Sequence, residues 1–397
     1  MKTSLQVCAL ITFFLAWSAP TKQAELKTKL DGRQGRNLAL DQFRPKPMLK
    51  VKQHLLSQAK LPVVDVHTHF YFRLRHSKER LEHFVEQMNR NNIAVCCSLD
   101  GKLGVRFEEH LNFLKKHKDR FVVFVNIDWQ GTGKKDDPST WDCHRPDFAR
   151  RVARQLTAAK KKGAAGLKLF KSFGLGYRNP DGSLIAIDDR RWDPIWRACG
   201  DLGLPVIIHT ADPAAFFLSI DNTNERWEEL HRHPEWSFPK DKFPSREKLL
   251  AARNRVIGRH PKTKFIGAHM ANNPEDLATV AKWLDKYPNL FVEPASRIGE
   301  LGRQPYTARR FFLKYADRIV FGTDGPWPVK RLQRYWRFME TYDEYFPYSE
   351  KEFPPQGFWR IYGLGLPDKV LRKIYHENAA KLIPGIGERV KKYQQKQ

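Results

Sequence analysis

The chain has 397 residues, 41% of them hydrophobic, so it can bury a substantial core as one large barrel-type domain or two ordinary ones, and it is not a disordered chain. Its 70 Lys and Arg against 44 Asp and Glu leave a formal charge of +26, but the excess is dispersed, with short clusters such as 159-AKKKG-163 and 391-KKYQQKQ-397. That pattern favours solubility, attraction of anionic substrates or loose surface adhesion over specific nucleic-acid recognition.

At the N-terminus Lys2 precedes an apolar run from Leu5 to Trp17, followed by the small residues Ser18 and Ala19, which is the layout of a signal peptide over 1–24 with cleavage near 18–24. The run is short for a membrane span, and no later stretch approaches the roughly 18 apolar residues a spanning helix needs. We therefore expect an exported protein, periplasmic in a bacterium and otherwise extracellular, with no stable membrane insertion after signal removal. Of five cysteines, Cys8 falls in the removable segment, Cys96 and Cys97 lie in an apolar run, and nothing supports Cys143 and Cys199 as partners, so no disulfide scaffold is implied. Residues 25–58 are rich in Lys, Arg and Gln without a period, and read as an arm draped on the domain that follows.

From residue 59 to 385, short apolar runs alternate with helical segments. The runs are 63-VVDVH-67, 93-IAVCCSL-99, 121-FVVFVNI-127, 165-AGLKLF-170, 205-PVIIH-209, 264-KFIGAH-269, 289-NLFVEP-294 and 318-RIVFGTD-324. Each is short and apolar enough for a parallel strand buried on both faces. Between them, 77–91 places Leu81, Phe84, Val85 and Met88 on one helical face behind a Ser77 cap, and 145–163 is a second such helix closed by Gly163. Eight strand–helix units predict an α/β fold, a (β/α)8 TIM barrel, with an open doubly wound sheet as the alternative. Two long connections, 210–244 and 325–365, carry many Trp, Phe and Pro residues and are expected at the C-terminal rim, where long loops shape substrate pockets. Residues 386–397 read as a basic tail.

In such a barrel the chemistry sits where strands end. There the chain places His67 and His69 after the first run, Lys168 in the fourth, His209 after the fifth, His269 after the sixth and Asp324 after the eighth. The His-x-His pair alone says little, since 14 histidines in this length give roughly half such a pair by chance, and His231 and His233 form a second one. His67 and His69, however, share strand parity and can converge on one ion. Imidazoles with a carboxylate suit Zn2+ and related divalent ions, and Asp324 is then a ligand, the base for a bound water, or both.

The motifs VDVHTH, PVIIHT, FIGAHM, FGTD and the closing YHENAAKLIP resemble the amidohydrolase superfamily, in its amidohydrolase-2 branch, from about residue 60 to 385. The resemblance implies a metal-dependent barrel in a branch of amide, ester and lactone hydrolases and nonoxidative decarboxylases of aromatic and unsaturated acids. It implies His67, His69, His209 and Asp324 as ligands of one divalent ion, most simply zinc, and His269 as the catalytic acid/base. Three readings stand open for Lys168: a carboxylated bridge between two ions, a contact to a substrate carboxylate, or a strand-end cap. Arg73, Lys171, Arg297 and Arg303 are further candidates to hold a substrate carboxylate. The expected reaction is hydrolysis of an amide, ester or lactone in a small acidic or aromatic molecule, with decarboxylation at the same site as the alternative. A metal-dependent nuclease is the reading that the basic charge raises and that Lys168, in place of an acidic bridge, opposes. A decayed, non-enzymatic barrel is opposed by the intact ligand set. The resemblance also implies a homo-oligomer, because a neighbouring subunit often supplies arginines in this branch.

Overall fold

Strands β1 (Val63–Thr68), β2 (Ile93–Ser98) and β3 (Phe121–Asn126) are built largely from β-branched, aromatic and cysteine side chains, and almost every residue in them is buried. A strand covered on both faces belongs in a parallel sheet with helices outside it. β4 (Gly166–Leu169), β5 (Val206–Ile208), β6 (Phe265–Gly267) and β7 (Leu290–Val292) continue the series, and the seven pair in parallel in chain order. The structure is a computed structural model that describes residues 39, 42, 44–74, 76–351 and 356–396. Lys50–Gln397 forms one compact unit; in Met1–Leu49 the described residues are exposed and hold no helix or strand. The expected signal peptide lies outside the described residues, as does most of the arm before residue 44.

The eighth predicted strand departs from a regular ladder. Around 318–324 there are only isolated parallel bridges, Val292 with Ile319 and Thr68 with Gly325. Backbone bonds nevertheless close the ring, from Val320 N to Val292 O at 3.0 Å, Val66 N to Phe321 O at 2.9 Å and Asp324 N to His67 O at 2.8 Å. The ladder breaks because a side chain replaces a backbone acceptor: Thr323 donates its N–H and Oγ1–H to the Asp65 carboxylate at 3.1 and 2.5 Å. Asp324 then turns to a φ of 64°, which ends any strand.

Hydrophobic burial follows this geometry. One cluster gathers Val64, Val66, Val95, Cys97, Phe124, Ile207, Ile266 and Val320 from around the sheet, as a barrel interior requires. A larger one packs the sheet's other residues against the helices. The helix Lys78–Arg90 buries Leu81, Phe84, Val85 and Met88, as its spacing predicts, and the Ser77 side chain accepts from Arg80 N. Each such side chain contributes roughly 1.5–3 kcal/mol of burial free energy. The described cysteines, Cys96, Cys97, Cys143 and Cys199, are buried free thiols.

Two expectations need correction. Residues 386–394 are not a tail: Ile386–Gln394 is a helix that buries Ile386, Val390 and Tyr393, because its apolar residues recur at three- and four-residue spacing between the lysines. The connection 325–365 is not all loop, since Val329–Glu340 is a helix burying Leu332, Tyr335, Trp336, Phe338 and Met339. No helix among the described residues is long and apolar enough to cross a membrane.

Candidate metal and catalytic site

The ends of β1, β2, β4, β5, β6 and β7 and the 318–324 segment carry ionisable side chains to one rim. His67 is 1% exposed, and its Nδ1 lies 2.7 Å from Glu293 Oε1. His69 repeats the arrangement, with Nδ1 2.6 Å from Asp100 Oδ1. A ring nitrogen facing a carboxylate carries the proton, so in both histidines Nε2 is left as a lone pair. Those two Nε2 atoms face one carboxylate oxygen: Asp324 Oδ1 is 3.8 Å from His67 Nε2 and 3.6 Å from His69 Nε2. Among the described residues, ligand atoms of His67, His69 and Asp324 all lie within 4.8 Å of one another, and so do those of His67, His269 and Glu293.

His269 stands on unusual backbone. His269, Met270, Ala271 and Asn272 all have positive φ, between 53° and 58°, a conformation costing roughly 1–2 kcal/mol for each non-glycine residue. The surroundings over-determine it. Met270 N donates to Glu293 O at 2.7 Å, His269 N to Glu293 Oε1 at 2.9 Å, Arg253 Nη1 to Ala271 O at 2.5 Å and Arg246 Nη2 to Asn272 O at 2.5 Å. The result fixes the imidazole, whose Nδ1 donates to Ala295 O at 2.7 Å and whose Nε2 is therefore basic.

Electrostatics keep the His67 and His269 rings neutral. Burial holds the His67 imidazole well below its ordinary value, with Lys168 adding to the effect, and burial does the same at His269, helped by His209 and Arg297. At Asp324 burial pushes the carboxyl up, but His67, His69, Arg73 and Lys168 together outweigh it, so the group is held below the usual carboxylate range. Imidazole Nε2 atoms facing an ionised carboxylate are the donor set that Zn2+ and similar ions accept, and the residues present fit such an ion.

His209 takes a different partner. Its Nε2 is 3.3 Å from Asp212 Oδ1, while Asp212 is anchored by Lys171 Nζ at 2.5 Å, and the ring centroid lies 4.6 Å from that of His269. It is beside the group rather than within it. Lys168 is buried, with Nζ 3.2 Å from His67 Nε2, and burial lowers its amine to about 8. An interior position against a histidine does not suit a strand-end cap. Of the other cations, Arg73 donates to Asp324 O at 2.6 Å and lies over Trp327, Arg303 pairs with Glu225 at 2.8 Å, and Arg297 is buried beside the rim.

Sequence reasoning missed Glu293, Asp100, Asp212 and Ser296, whose Oγ donates to Asp324 Oδ2 at 3.2 Å. Glu293 and Asp100 were findable. Each is the lone acid at the end of an apolar strand, the same signal that singled out the histidines.

The fold and this set of strand-end groups define a (β/α)8 barrel with a candidate site for a divalent ion. A family model described as Amidohydrolase matches residues 64–385, and the chain belongs to the amidohydrolase family. No curated protein matches it. Among solved structures it is similar to an uncharacterized TIM-barrel protein from Bordetella bronchiseptica, at 18% identity and TM-score 0.47, over 83% of this chain and 99% of that one. It is also similar to a 2,6-dihydroxybenzoate decarboxylase complexed with 2,6-dihydroxybenzoate, at 16% identity and TM-score 0.46, over 82% and 99%. A 4-oxalomesaconate hydratase from Rhodopseudomonas palustris matches at 11% identity and TM-score 0.46, over 84% and 99%. The decarboxylase and the hydratase differ in reaction, and all three structures are remote from this chain.

Proposed function

We propose that the protein is a metal-dependent hydrolase that cleaves an amide, ester or lactone of a small acidic or aromatic molecule with activated water. The observation that carries this reading is the trio His67, His69 and Asp324, with both imidazoles held from behind by Glu293 and Asp100 so that their lone pairs converge. His67, His69 and Asp324 would hold one divalent ion, with His209 joining once it leaves Asp212. A carboxylated Lys168 would admit a second. When bound, such an ion, zinc by its donor set, supplies Lewis-acid polarisation of a carbonyl and acidifies water for attack near neutral pH.

The remaining steps belong to the protein. Asp324, ionised and oriented by Ser296, accepts the proton that water gives up as its oxygen adds to the carbonyl carbon. His269, whose neutral Nε2 is a lone pair, takes over that proton and hands it to the nitrogen or oxygen that leaves as the acyl bond breaks, which returns both groups to their starting states. Phe170, 40% exposed and with its ring 5.5 Å from that of His69, gives the substrate an apolar wall.

A metal-loaded screen that follows amide, ester and lactone hydrolysis alongside CO2 release tests the proposal. Hydrolysis that disappears in His269→Ala while bound metal stays is the expected result. Release of CO2 with no hydrolysis would assign the same residues to carboxy-lyase chemistry instead.

A further inference from the structure

At the end of the barrel where the strands begin, six basic side chains surround one cleft of about 420 Å3. Lys116, His117 and Arg120 reach it from the segment before β3, and Arg389, Lys392 and Lys396 from the helix Ile386–Gln394 and its end. Arg120 fixes the location. Its Nη2 and Nε donate to the O atoms of Ile93 and Ala94, the first two residues of β2, at 2.7 and 2.8 Å. The candidate catalytic groups stand at the opposite end of the strands, so the cleft is no part of that site.

Carboxylates do not balance these charges. Lys116 and His117 share Glu82 at 2.9 and 2.8 Å, and Lys392 pairs with Asp119 at 3.1 Å, but among the described residues Arg120, Arg389 and Lys396 pair with no carboxylate. Arg120 spends its remaining donor on Asn89 Oδ1 at 2.7 Å and lies over the Tyr393 ring, so it adds charge to the cleft rather than a free donor. Arg389 donates Nε to Lys118 O at 3.1 Å and Nη1 to Gly385 O at 2.9 Å, which holds the guanidinium in place with Nη2 uncommitted among the described residues. Lys396 is exposed. Positions 389, 392 and 396 also share one helical face, where like charges repel one another. Basic residues at a helix C-terminus complement its dipole, but that does not account for Lys116 and Arg120, which meet them from another segment.

We propose that this cleft is a binding site for a phosphate group, carried by a small phosphorylated molecule or by a phospholipid headgroup. A concave surface with an excess of one sign focuses its field on the opposite charge, and a phosphate monoester brings about −1.5 to −2 charges and three acceptor oxygens to Arg389, Lys392 and Lys396. The volume falls within the roughly 300–1,000 Å3 of small-ligand sites, which suits a headgroup or a small ester rather than a strand of nucleic acid. The tyrosine of the cleft, Tyr393, is already covered by Arg120 and offers no platform for a base. The site is independent of the hydrolase reading.

Binding to metal-free protein tests it, since no ion at the strand-end rim then competes for the anion. Calorimetry with glycerol 3-phosphate against glycerol reads a free phosphorylated ligand, and sedimentation with phosphatidylcholine vesicles containing phosphatidic acid, against phosphatidylcholine alone, reads a headgroup. Wild type should prefer the phosphate-bearing probe by about tenfold or more in at least one arm, and the arm that responds identifies the source. Arg389→Gln/Lys396→Gln should weaken that binding by about tenfold while the melting temperature stays near wild type. Lys160→Gln/Lys161→Gln removes the same charge from the end of the helix Phe148–Lys161 and should change binding by less than about twofold. No preference in either arm, or equal loss in the two double variants, would overturn the assignment, and so would binding of a single-stranded oligonucleotide in place of both probes. If the Arg389→Gln/Lys396→Gln protein does not fold, Lys396→Gln alone decides: weakened binding supports the site and unchanged binding refutes it.

Discussion

The chain contains two His-x-His pairs with identical spacing and opposite surroundings. His67 and His69 end a buried strand, each with a carboxylate 2.7 or 2.6 Å behind its Nδ1 and Asp324 in front of its Nε2. His231 lies in the helix Trp227–Arg232 and His233 just after it; they stack on Trp227 and Trp236 at centroid distances of 4.5 and 4.0 Å, and the carboxylate beside His233 is that of the exposed Glu235. The spacing is therefore not the site. A histidine is placed to act as a ligand when its other nitrogen is held and a second donor arrives from a distant part of the chain.

The comparison can be broken in stages. The largest effect is expected from His67→Ala or His69→Ala, which should cost about a thousandfold or more in turnover together with bound metal, as measured by kinetics and elemental analysis. If the carboxylates behind the pair matter as described, Glu293→Gln and Asp100→Asn should each weaken metal affinity by about 10- to 100-fold in a competitive chelator titration while the protein stays folded. Thr323→Val removes one donor from the buried Asp65 carboxylate that ties β1 to the last segment. It should cost about 1–3 kcal/mol in a denaturant titration. The smallest effect belongs to the other pair: His231→Ala and His233→Ala should change stability by no more than about 0.5 kcal/mol and leave metal content untouched.

Much of this was legible because parallel strands buried on both faces leave apolar runs that few other elements leave, and a polar residue at the end of such a run stands out. Seven of the eight predicted strands are regular strands for that reason. The 318–324 segment was harder to read, since its irregularity comes from an Asp65–Thr323 contact across 258 positions. The helix Ile386–Gln394 was hidden by its lysines, although Ile386, Val390 and Tyr393 share a face. Within the candidate site, His67, His69 and Asp324 were visible as strand ends and Glu293 could have been. Arg297 could not be distinguished from a surface arginine, because its burial is set by non-local packing rather than by neighbours in sequence. The pairing of His209 with Asp212, three residues on, was local and still invisible, since spacing does not say which way the ring turns.

The central claim is that the β1 pair and Asp324 hold a divalent ion. Elemental analysis of purified, zinc-reconstituted protein tests it most directly. About one equivalent should remain after dialysis in wild type and in His231→Ala/His233→Ala, or two if Lys168 is carboxylated, and little should remain in His67→Ala/His69→Ala. A wild-type protein that neither carries a divalent metal nor takes up zinc, or one that binds it equally well without His67 and His69, would contradict the account.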